Sequence, residues 1–359
     1  MKVRTAKILI FIHSLKGGGA ERICSYLANH WAGSEADVLL VTIDSPSLDD
    51  YELDLDVARV SLDMAVESTS PFAAVANNLR LICKLRSVLK KSEADVAISF
   101  MTRANIVCAV ACIGARAFHI ASERNYPALD NHGRFWNTLR KQTYRFANVV
   151  VAQTEKGRLW LDNETSARNV VAIPNPVVYP LPGGEGLVPE YDIPVGRMIL
   201  AVGRLSPQKQ FDQLMNAFAT LAGGLDNWQL VIVGEGQERD KLVALSVSLG
   251  IKNRVHLPGR VKAVSMWYRR ADIFVLSSKY EGFPNALVEA MSYGLPVISY
   301  DCDTGPAELI ESGVNGYLVE NNNEVELYKK LEKLAIDSEL RVLFGRKACL
   351  LYTSPSPRD

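Results

Sequence analysis

Ser277-Ser278-Lys279-Tyr280-Glu281-Gly282-Phe283-Pro284-Asn285-Ala286-Leu287-Val288-Glu289-Ala290-Met291-Ser292-Tyr293-Gly294-Leu295-Pro296 follows the apolar run Ile273 to Leu276. The run reads as a buried strand. Pro284 and Asn285 open a helix, Gly294 closes it, and Pro296 keeps it closed. A helix that starts where a parallel strand ends stands where open α/β sheets bind ligands. Its first backbone N–H groups lack partners within the helix and form an anion site suited to a diphosphate. The same stretch carries two carboxylates, Glu281 and Glu289. A carboxylate beside a phosphate is unfavourable unless it contacts something else, and sugar hydroxyls are the obvious partners. Such a ligand is phosphate in the middle and polyol at both ends, as a nucleotide-sugar is. On spacing alone, a plain loop residue and a solvated helix position explain the two acids better. The rest of the chain changes that balance.

Outward from this stretch, the second half alternates strand and helix. Strands are expected at residues 198–202, 229–233, 255–257, 273–276 and 297–300. Gly203-Arg204-Leu205-Ser206-Pro207-Gln208-Lys209 follows the first of them, so Arg204 and Lys209 stand at its carboxyl edge. Two cations beside a glycine turn suit a phosphate, Arg as a fork and Lys as a point charge. The alternative is a surface ion-pair role. The Glu281 loop leaves the same sheet by the same edge, which favours the phosphate. Asp301-Cys302-Asp303 has the D-x-D form of a metal–diphosphate motif, yet Thr304-Gly305-Pro306 continues as a turn into a helix. An Asx-type turn accounts for it, and no metal is assigned.

The first half shows the same alternation. Residues 7–13 form a strand, then Ser14-Leu15-Lys16-Gly17-Gly18-Gly19-Ala20-Glu21-Arg22 turns into a helix reaching about residue 31. The dinucleotide fingerprint is incomplete, with Asp44 the only acid placed for a ribose. Gly17, Gly18 and Gly19 either let the backbone approach a substrate closely or make a simple tight turn. A strand at 37–43 leads into a polar, acidic stretch to about residue 70. Residues 72–91 form a long helix with Leu79, Ile82, Leu85, Val88 and Leu89 as its apolar positions. Arg80, Lys84, Arg86, Lys90 and Lys91 are interleaved with them, and no acid appears until Glu93. A basic amphipathic helix suits an anionic membrane surface or a pyrophosphate. A sheet-packed helix with a solvated basic side is the plainer reading of the pattern. Strands at 96–99 and 119–122 flank a buried small-residue helix at 104–113, and Glu123-Arg124 ends the second strand, where active-site groups cluster in α/β folds. A helix at 134–146 and strands at 148–152 and 170–173 follow, and Pro174-Asn175-Pro176 ends this half.

With 359 residues the chain suits two domains. At 48% hydrophobic and 22% charged it is globular, not disordered. Lys+Arg and Asp+Glu balance at 40 each, so no global field draws it to nucleic acid, and membrane contact needs a local patch. Cys24, Cys83, Cys108, Cys112, Cys302 and Cys349 show no C-x-x-C and no metal spacing; most lie in apolar surroundings, as expected of buried free thiols in a reducing compartment. The apolar run 8–12 is too short for a signal peptide, and 106–115 falls short of the roughly 20 residues a spanning helix needs. A cytoplasmic location is expected.

At this point the residues are recognisable. Glu281 and Glu289, with seven residues between them, resemble the paired-glutamate motif of the retaining family-4 glycosyltransferases of GT-B fold. Gly203-Arg204-Leu205…Lys209, Gly234-Glu235-Gly236 and Pro258-Gly259-Arg260-Val261 match that family in order and spacing. Gly17-Gly18-Gly19-Ala20-Glu21-Arg22 and Ile98-Ser99-Phe100…Ser122-Glu123-Arg124-Asn125 are similar to the branch that acts on polyprenyl-diphosphate-linked glycans and exopolysaccharide precursors. The resemblance covers about residues 7–344.

The resemblance implies two Rossmann-like, doubly wound parallel-sheet α/β domains facing each other across a cleft. They are an acceptor-binding domain at 1–176, a linker at 177–196 rich in Pro and Gly, and a nucleotide-sugar domain at 197–345. Residues 346–359 form a Pro/Ser tail without helical pattern where relatives end in a helix, and are expected to be a truncated or non-native end. By the same likeness, Arg204 and Lys209 hold the donor diphosphate, with Gly282, Phe283, Pro284, Asn285, Arg260 and Val261 completing the donor site. Glu289 takes the ribose hydroxyls, while Glu281 meets the donor sugar and the charge developing at its anomeric carbon. Gly17, Gly18 and Gly19 face the donor, and Arg80, Lys84 and Arg86 engage the acceptor pyrophosphate at the membrane. Arg124 stands where many relatives carry a histidine; always protonated, it serves as no base and positions groups or stabilises charge.

The implied reaction moves a hexose or N-acetylhexosamine, with retention, from a UDP-sugar to a lipid-linked glycan. It takes place at the inner face of the cytoplasmic membrane, with no metal and no cofactor. Two other readings stay open. A nucleotide-sugar epimerase needs acid/base side chains around the sugar, and the chain has few histidines. A non-catalytic nucleotide-sugar-binding protein fits Arg124 and the odd tail.

Overall fold

The computed structural model describes residues 5–34, 36–64, 70–130, 132–181 and 195–353. The chain divides into two compact units between Asn175 and Pro176. In the first unit the order is β1 (Lys7–Ile12), α1 (Gly19–Ala32), β2 (Asp37–Thr42), β3 (Val57–Ser61), α2 (Pro71–Ser92), β4 (Val96–Phe100) and α3 (Thr102–Ala111). Then follow β5 (Phe118–Ser122), α4 (Arg134–Thr143), β6 (Val149–Ala152), α5 (Glu155–Glu164) and β7 (Val170–Ala172). The sheet is parallel, in the order β3-β2-β1-β4-β5-β6-β7. Side-chain alternation along β1 explains the double winding. Leu9 and Phe11 pack with Leu85, Leu89 and Val107 of α2 and α3, whereas Ile10 and Ile12 pack with Cys24 and Ala28 of α1. The order reverses between β1 and β4, which opens a crevice at the carboxyl edge there.

The second unit runs β8 (Arg197–Val202), α6 (Phe211–Ala222), β9 (Trp228–Val233), α7 (Arg239–Ser248), β10 (Val255–Gly259), α8 (Val264–Arg270) and β11 (Ile273–Leu276). It continues with α9 (Asn285–Ser292), β12 (Val297–Asp301), α10 (Pro306–Leu309), β13 (Gly316–Glu320), α11 (Glu324–Ile336) and α12 (Ser338–Thr353). Its parallel sheet has the order β10-β9-β8-β11-β12-β13, the same plan, with the reversal between β8 and β11. Ile199 and Ala201 face α6 and α11; Met198 and Leu200 face α8 and α9. No helix among the described residues is long and apolar enough to cross a membrane.

Four expectations change. β3 lies inside the stretch read as polar, where Arg59 is held by an ion pair to Asp49 (3.1 Å). β13 closes the other sheet beyond the last expected strand. On α2, Leu79 is 58% exposed, and Leu81 takes its place in the core. The boundary expected at 176/177 stands one residue from the division between the units, whereas the one at 345/346 falls within α12. Leu181 and Ala348 are buried in the core beside α9, and α12 runs through the first eight residues (346–353) of the supposed tail. Residues 182–194 of the expected linker and 354–359 of the tail lie outside the described residues.

The cysteine spacing also hides a contact. Cys108 and Cys112, one helical turn apart on α3, bring their sulfurs to 3.9 Å, and His119 of β5 joins them with all three ligand-type atoms within 4.8 Å. The group is buried in the core. Ser99 Oγ meets His119 Nε2 at 2.8 Å, and Nδ1 has no partner among the described residues. Burial lowers the His119 pKa to about 4. The unfolded chain protonates this ring near pH 6.5, so between there and pH 4 the unfolded state binds more protons. The stability it contributes is whole above pH 6.5 and is lost as pH falls toward 4, by about 3 kcal/mol on an order-of-magnitude scale. Buried Glu123, whose pKa burial raises, works in the opposite sense above its usual value. The comparison of wild type with His119→Gln isolates the histidine. The wild-type midpoint in urea should fall more steeply than the variant's between pH 6.5 and 4; parallel curves would refute the assignment.

Candidate active site

The second unit's reversal between β8 and β11 brings two loops together. The loop after β8 carries Gly203, Arg204 and Lys209; the loop after β11 carries Glu281. Lys279 N–H donates to Gln208 C=O (2.8 Å), Gln208 Nε2 to Tyr280 C=O (2.7 Å), and Ser277 Oγ to Lys209 C=O (2.8 Å). Across this lacing, Lys209 Nζ meets Glu281 Oε1 at 2.5 Å. Ser278 Oγ donates to the same oxygen at 2.6 Å, and Thr304 Oγ1 donates to the Glu281 carbonyl. Gly203 makes room for this: a Cβ there would stand 3.0 Å from Lys209 Cε.

Glu281 and Glu289 are each only 7% exposed, so neither is a solvated surface acid. Glu289, on α9, accepts a hydrogen bond from buried Tyr268 OH of α8 (3.0 Å). α9 begins one residue after Pro284, as its sequence requires, and Asn285 N–H closes the turn onto Phe283 C=O (2.9 Å). Gly294 ends it with φ +73°, and Leu295 N–H returns to Ala290 C=O. Gly282 and Phe283 are half-buried in the loop between. Arg204 is exposed and has no ion-pair partner among the described residues. Arg260 and Val261 follow β10, at the same edge but two strands away from β8; Arg260 is exposed and Val261 half-buried.

In the first unit, Gly17 (φ +48°) and Gly18 lie between β1 and α1, Gly19 begins α1, and Tyr51 OH bonds Gly18 C=O at 3.0 Å. A Cβ on Gly18 would run into the Glu21 carboxylate at 2.0 Å. Glu123 and Arg124 do not pair. Glu123 is buried with Thr102 and Tyr144, whose hydroxyls bond it, and Arg140. Arg124 stacks on Phe100 instead, at 4.7 Å. On α2, Arg80 and Lys84 are exposed and Arg86 half-buried, with Lys84 Nζ donating to Leu62 C=O (2.9 Å). The sequence missed Gln208, Ser278, Thr304 and Tyr268. The contacts of Gln208, Thr304 and Tyr268 run between loops or helices separated by as many as 72 positions, which no local pattern encodes; Ser278 lies only three positions before Glu281, within one loop.

Residues 194–349 match the family model described as Glycosyl transferases group 1, and residues 17–178 match Glycosyltransferase Family 4. Over 336 residues the chain is 30% identical to the GalNAc-α-(1→4)-GalNAc-α-(1→3)-diNAcBac-PP-undecaprenol α-1,4-N-acetyl-D-galactosaminyltransferase of Campylobacter jejuni, covering 93% of this chain and 90% of that protein. It is 27% identical over 351 residues to the amylovoran biosynthesis glycosyltransferase AmsD of Erwinia amylovora, covering 95% and 93%. The crystal structure of Anabaena Alr3699/HepE in complex with UDP shares its fold, with a TM-score of 0.74 at 19% identity over 97% of this chain and 94% of that one. Two doubly wound parallel-sheet units of this kind make the architecture that of the GT-B class. The chain belongs to the family-4 glycosyltransferases and is an enzyme of glycosyl transfer.

Proposed function

We propose that this glycosyltransferase moves a hexose or N-acetylhexosamine, with retention, from a UDP-sugar to a polyprenyl-diphosphate-linked glycan. The observation that carries the reading is the pair of half-buried Lys209 and buried Glu281, laced between the loops of β8 and β11. A donor diphosphate draws Lys209 and Arg204 as counter-charges, aided by the N-terminal turn of α9. Glu281, freed from Lys209, then faces the sugar and the positive charge growing at its anomeric carbon. Glu289 accepts from the ribose hydroxyls. The acceptor oxygen attacks the anomeric carbon from the face that the diphosphate leaves. The C–O bond to UDP breaks as the new glycosidic bond forms, and the acceptor's proton passes to a departing phosphate oxygen. No enzyme base is required, which accommodates Arg124.

The undecaprenol-linked acceptor named for the Campylobacter relative supports a lipid-linked acceptor here, and the UDP bound by HepE supports a UDP donor. The decisive experiment measures UDP release from a panel of UDP-sugars with and without polyprenyl-diphosphate glycans, with the product anomer read by NMR. Transfer that depends on acceptor and keeps the donor's anomeric configuration is expected. Tight UDP binding with no transfer to any acceptor would instead favour a non-catalytic binding protein.

Because the counter-charge is assigned to Lys209 and Arg204, transfer should persist in EDTA. A tenfold loss that Mg²⁺ restores would overturn that assignment. On α2, Val75 and Leu79 are 52% and 58% exposed, one helical turn apart and next to Arg80 and Lys84. This apolar stripe beside cations supports peripheral contact with an anionic membrane. Co-sedimentation with anionic liposomes should drop several-fold in the Arg80→Ala, Lys84→Ala, Arg86→Ala triple variant; unchanged sedimentation would return α2 to a purely structural role.

A further inference from the structure

Arg124 is a half-buried cation with two buried donor atoms and no counter-ion among the described residues. It follows β5, and its guanidinium lies over Phe100, the last residue of β4, at 4.7 Å from the ring centroid. Cys24 of α1 is its titratable neighbour. The side chain therefore lies over the β1–β4 reversal of the first sheet, where open sheets of this kind hold ligands. Its Nε and Nη2 are shut off from solvent and meet no acceptor among the described residues. Neither obvious counter-ion serves. Glu123 is engaged by Thr102, Tyr144 and Arg140. Burial pushes the Cys24 thiol up to about 12, so it stays neutral at pH 7. Burial also lowers the arginine itself to about 10, which still leaves it charged.

A guanidinium edge stripped of water and given no acceptor is costly. The two orphan donors are informative. Nε–H and Nη2–H lie along one edge of the guanidinium plane, and two oxygens of a carboxylate or phosphate take that edge in parallel hydrogen bonds. A sugar hydroxyl brings one oxygen and no charge.

We infer that Arg124 is the recognition site for an oxyanion, a carboxylate or phosphate carried by one of the two sugar substrates, so that the enzyme selects an acidic sugar. The inference rests on the glycosyl-transfer reading above and adds the charge of the substrate to it. Phe100 sets the plane of the fork, and that edge is left unpaired by the described residues, so an entering oxyanion must displace what now covers it.

The test is calorimetric titration of the full chain in two arms. In the donor arm the ligands are UDP, UDP-glucose and UDP-glucuronate. In the acceptor arm, without UDP, they are polyprenyl-diphosphate glycans ending in glucose, glucuronate or glucose 6-phosphate. One acidic ligand should bind at least tenfold more tightly than its neutral twin, and the arm in which it does so identifies the source. Arg124→Gln should erase the difference, and Arg124→Lys should keep part of it, while UDP alone binds all three proteins within twofold. Equal binding of acidic and neutral twins in both arms, or a preference that survives Arg124→Gln, overturns the inference. A wild type that ignores UDP contradicts the donor reading, whereas charge discrimination is still read in the acceptor arm. Without ligand, Arg124→Gln should raise the thermal midpoint by about 2–4 °C, since an uncompensated charge is gone. A fall of that size would make Arg124 a structural residue and overturn the inference as well.

Discussion

Glu281→Gln should lower kcat/KM for sugar transfer by about 10²–10³-fold, the usual cost of deleting one preorganised charge that faces the transition state. The variant keeps the shape of the loop, because the amide still accepts from Ser278 Oγ, which stands 2.6 Å away, and the main chain keeps its bond from Thr304. What disappears is the negative charge at Lys209. Affinity for UDP should therefore hold or improve while turnover collapses, since the diphosphate no longer competes with a carboxylate for the ammonium group. Lys209→Ala should do the reverse to the ground state and weaken UDP binding. As the two residues form one unit, the double variant should lose less than the product of the single losses. Steady-state kinetics with UDP titrations checks all three. Transfer undiminished in Glu281→Gln and Lys209→Ala would remove the pair from the active site. Arg204→Ala, at an exposed position, should act mainly through KM.

The second large effect is on the scaffold. Gly234 adopts φ +144°, and a Cβ there would stand 1.9 Å from the carbonyl oxygen of Gly203. That carbonyl opens the loop bearing Arg204 and Lys209. The loops after β8 and β9 are locked by Gly203 N–H to Val233 C=O and Leu205 N–H to Glu235 C=O, both 3.0 Å, with Glu238 N–H returning to Leu205 C=O. Backbone meets backbone here, so neither side yields by a rotamer change. Gly234→Ala should cost about 2–4 kcal/mol of unfolding free energy and weaken UDP binding at least tenfold. Gly250→Ala is the control: φ is also positive, at +70°, yet a Cβ meets nothing within 4 Å. It should cost about 1 kcal/mol through backbone conformation alone and leave UDP binding intact. Equal destabilisation of the two variants in urea would show that the close approach is not what matters at Gly234.

Much of the fold was legible because β1, β8 and β11 are short apolar runs bounded by glycine or polar turns, and periodicity reads such runs well. The elements that escaped are the sheet edges. β3, within a stretch dense in acids, buries little, and its Arg59 is neutralised by an aspartate ten positions earlier. β13 is five residues long and ends in an exposed glutamate. Both gain their identity from the neighbouring strand, which no window of sequence contains. At the site, the pairing of the β8 and β11 loops followed from their shared sheet edge. The direct Lys209–Glu281 contact did not, because on charge alone Lys209 was matched to phosphate and Glu281 to hydroxyls. Leu79 shows the limit of periodicity on α2. Its apolar positions wrap more than one face, and only packing separates the buried Leu81 from the exposed Leu79.

The two sheets repeat one strand order, yet the polar clamps that shape their reversal points are internal to each unit. Tyr51 steadies the glycine turn after β1, while Gln208, Ser277 and Thr304 steady the loops after β8 and β11. The halves are thus separately editable. Drift in the residues around Gly18, Phe100 and Arg124 leaves the Lys209–Glu281 bracket standing, and the converse holds as well. A lineage built on this plan is free to revise one reversal point without unmaking the bonds that shape the other.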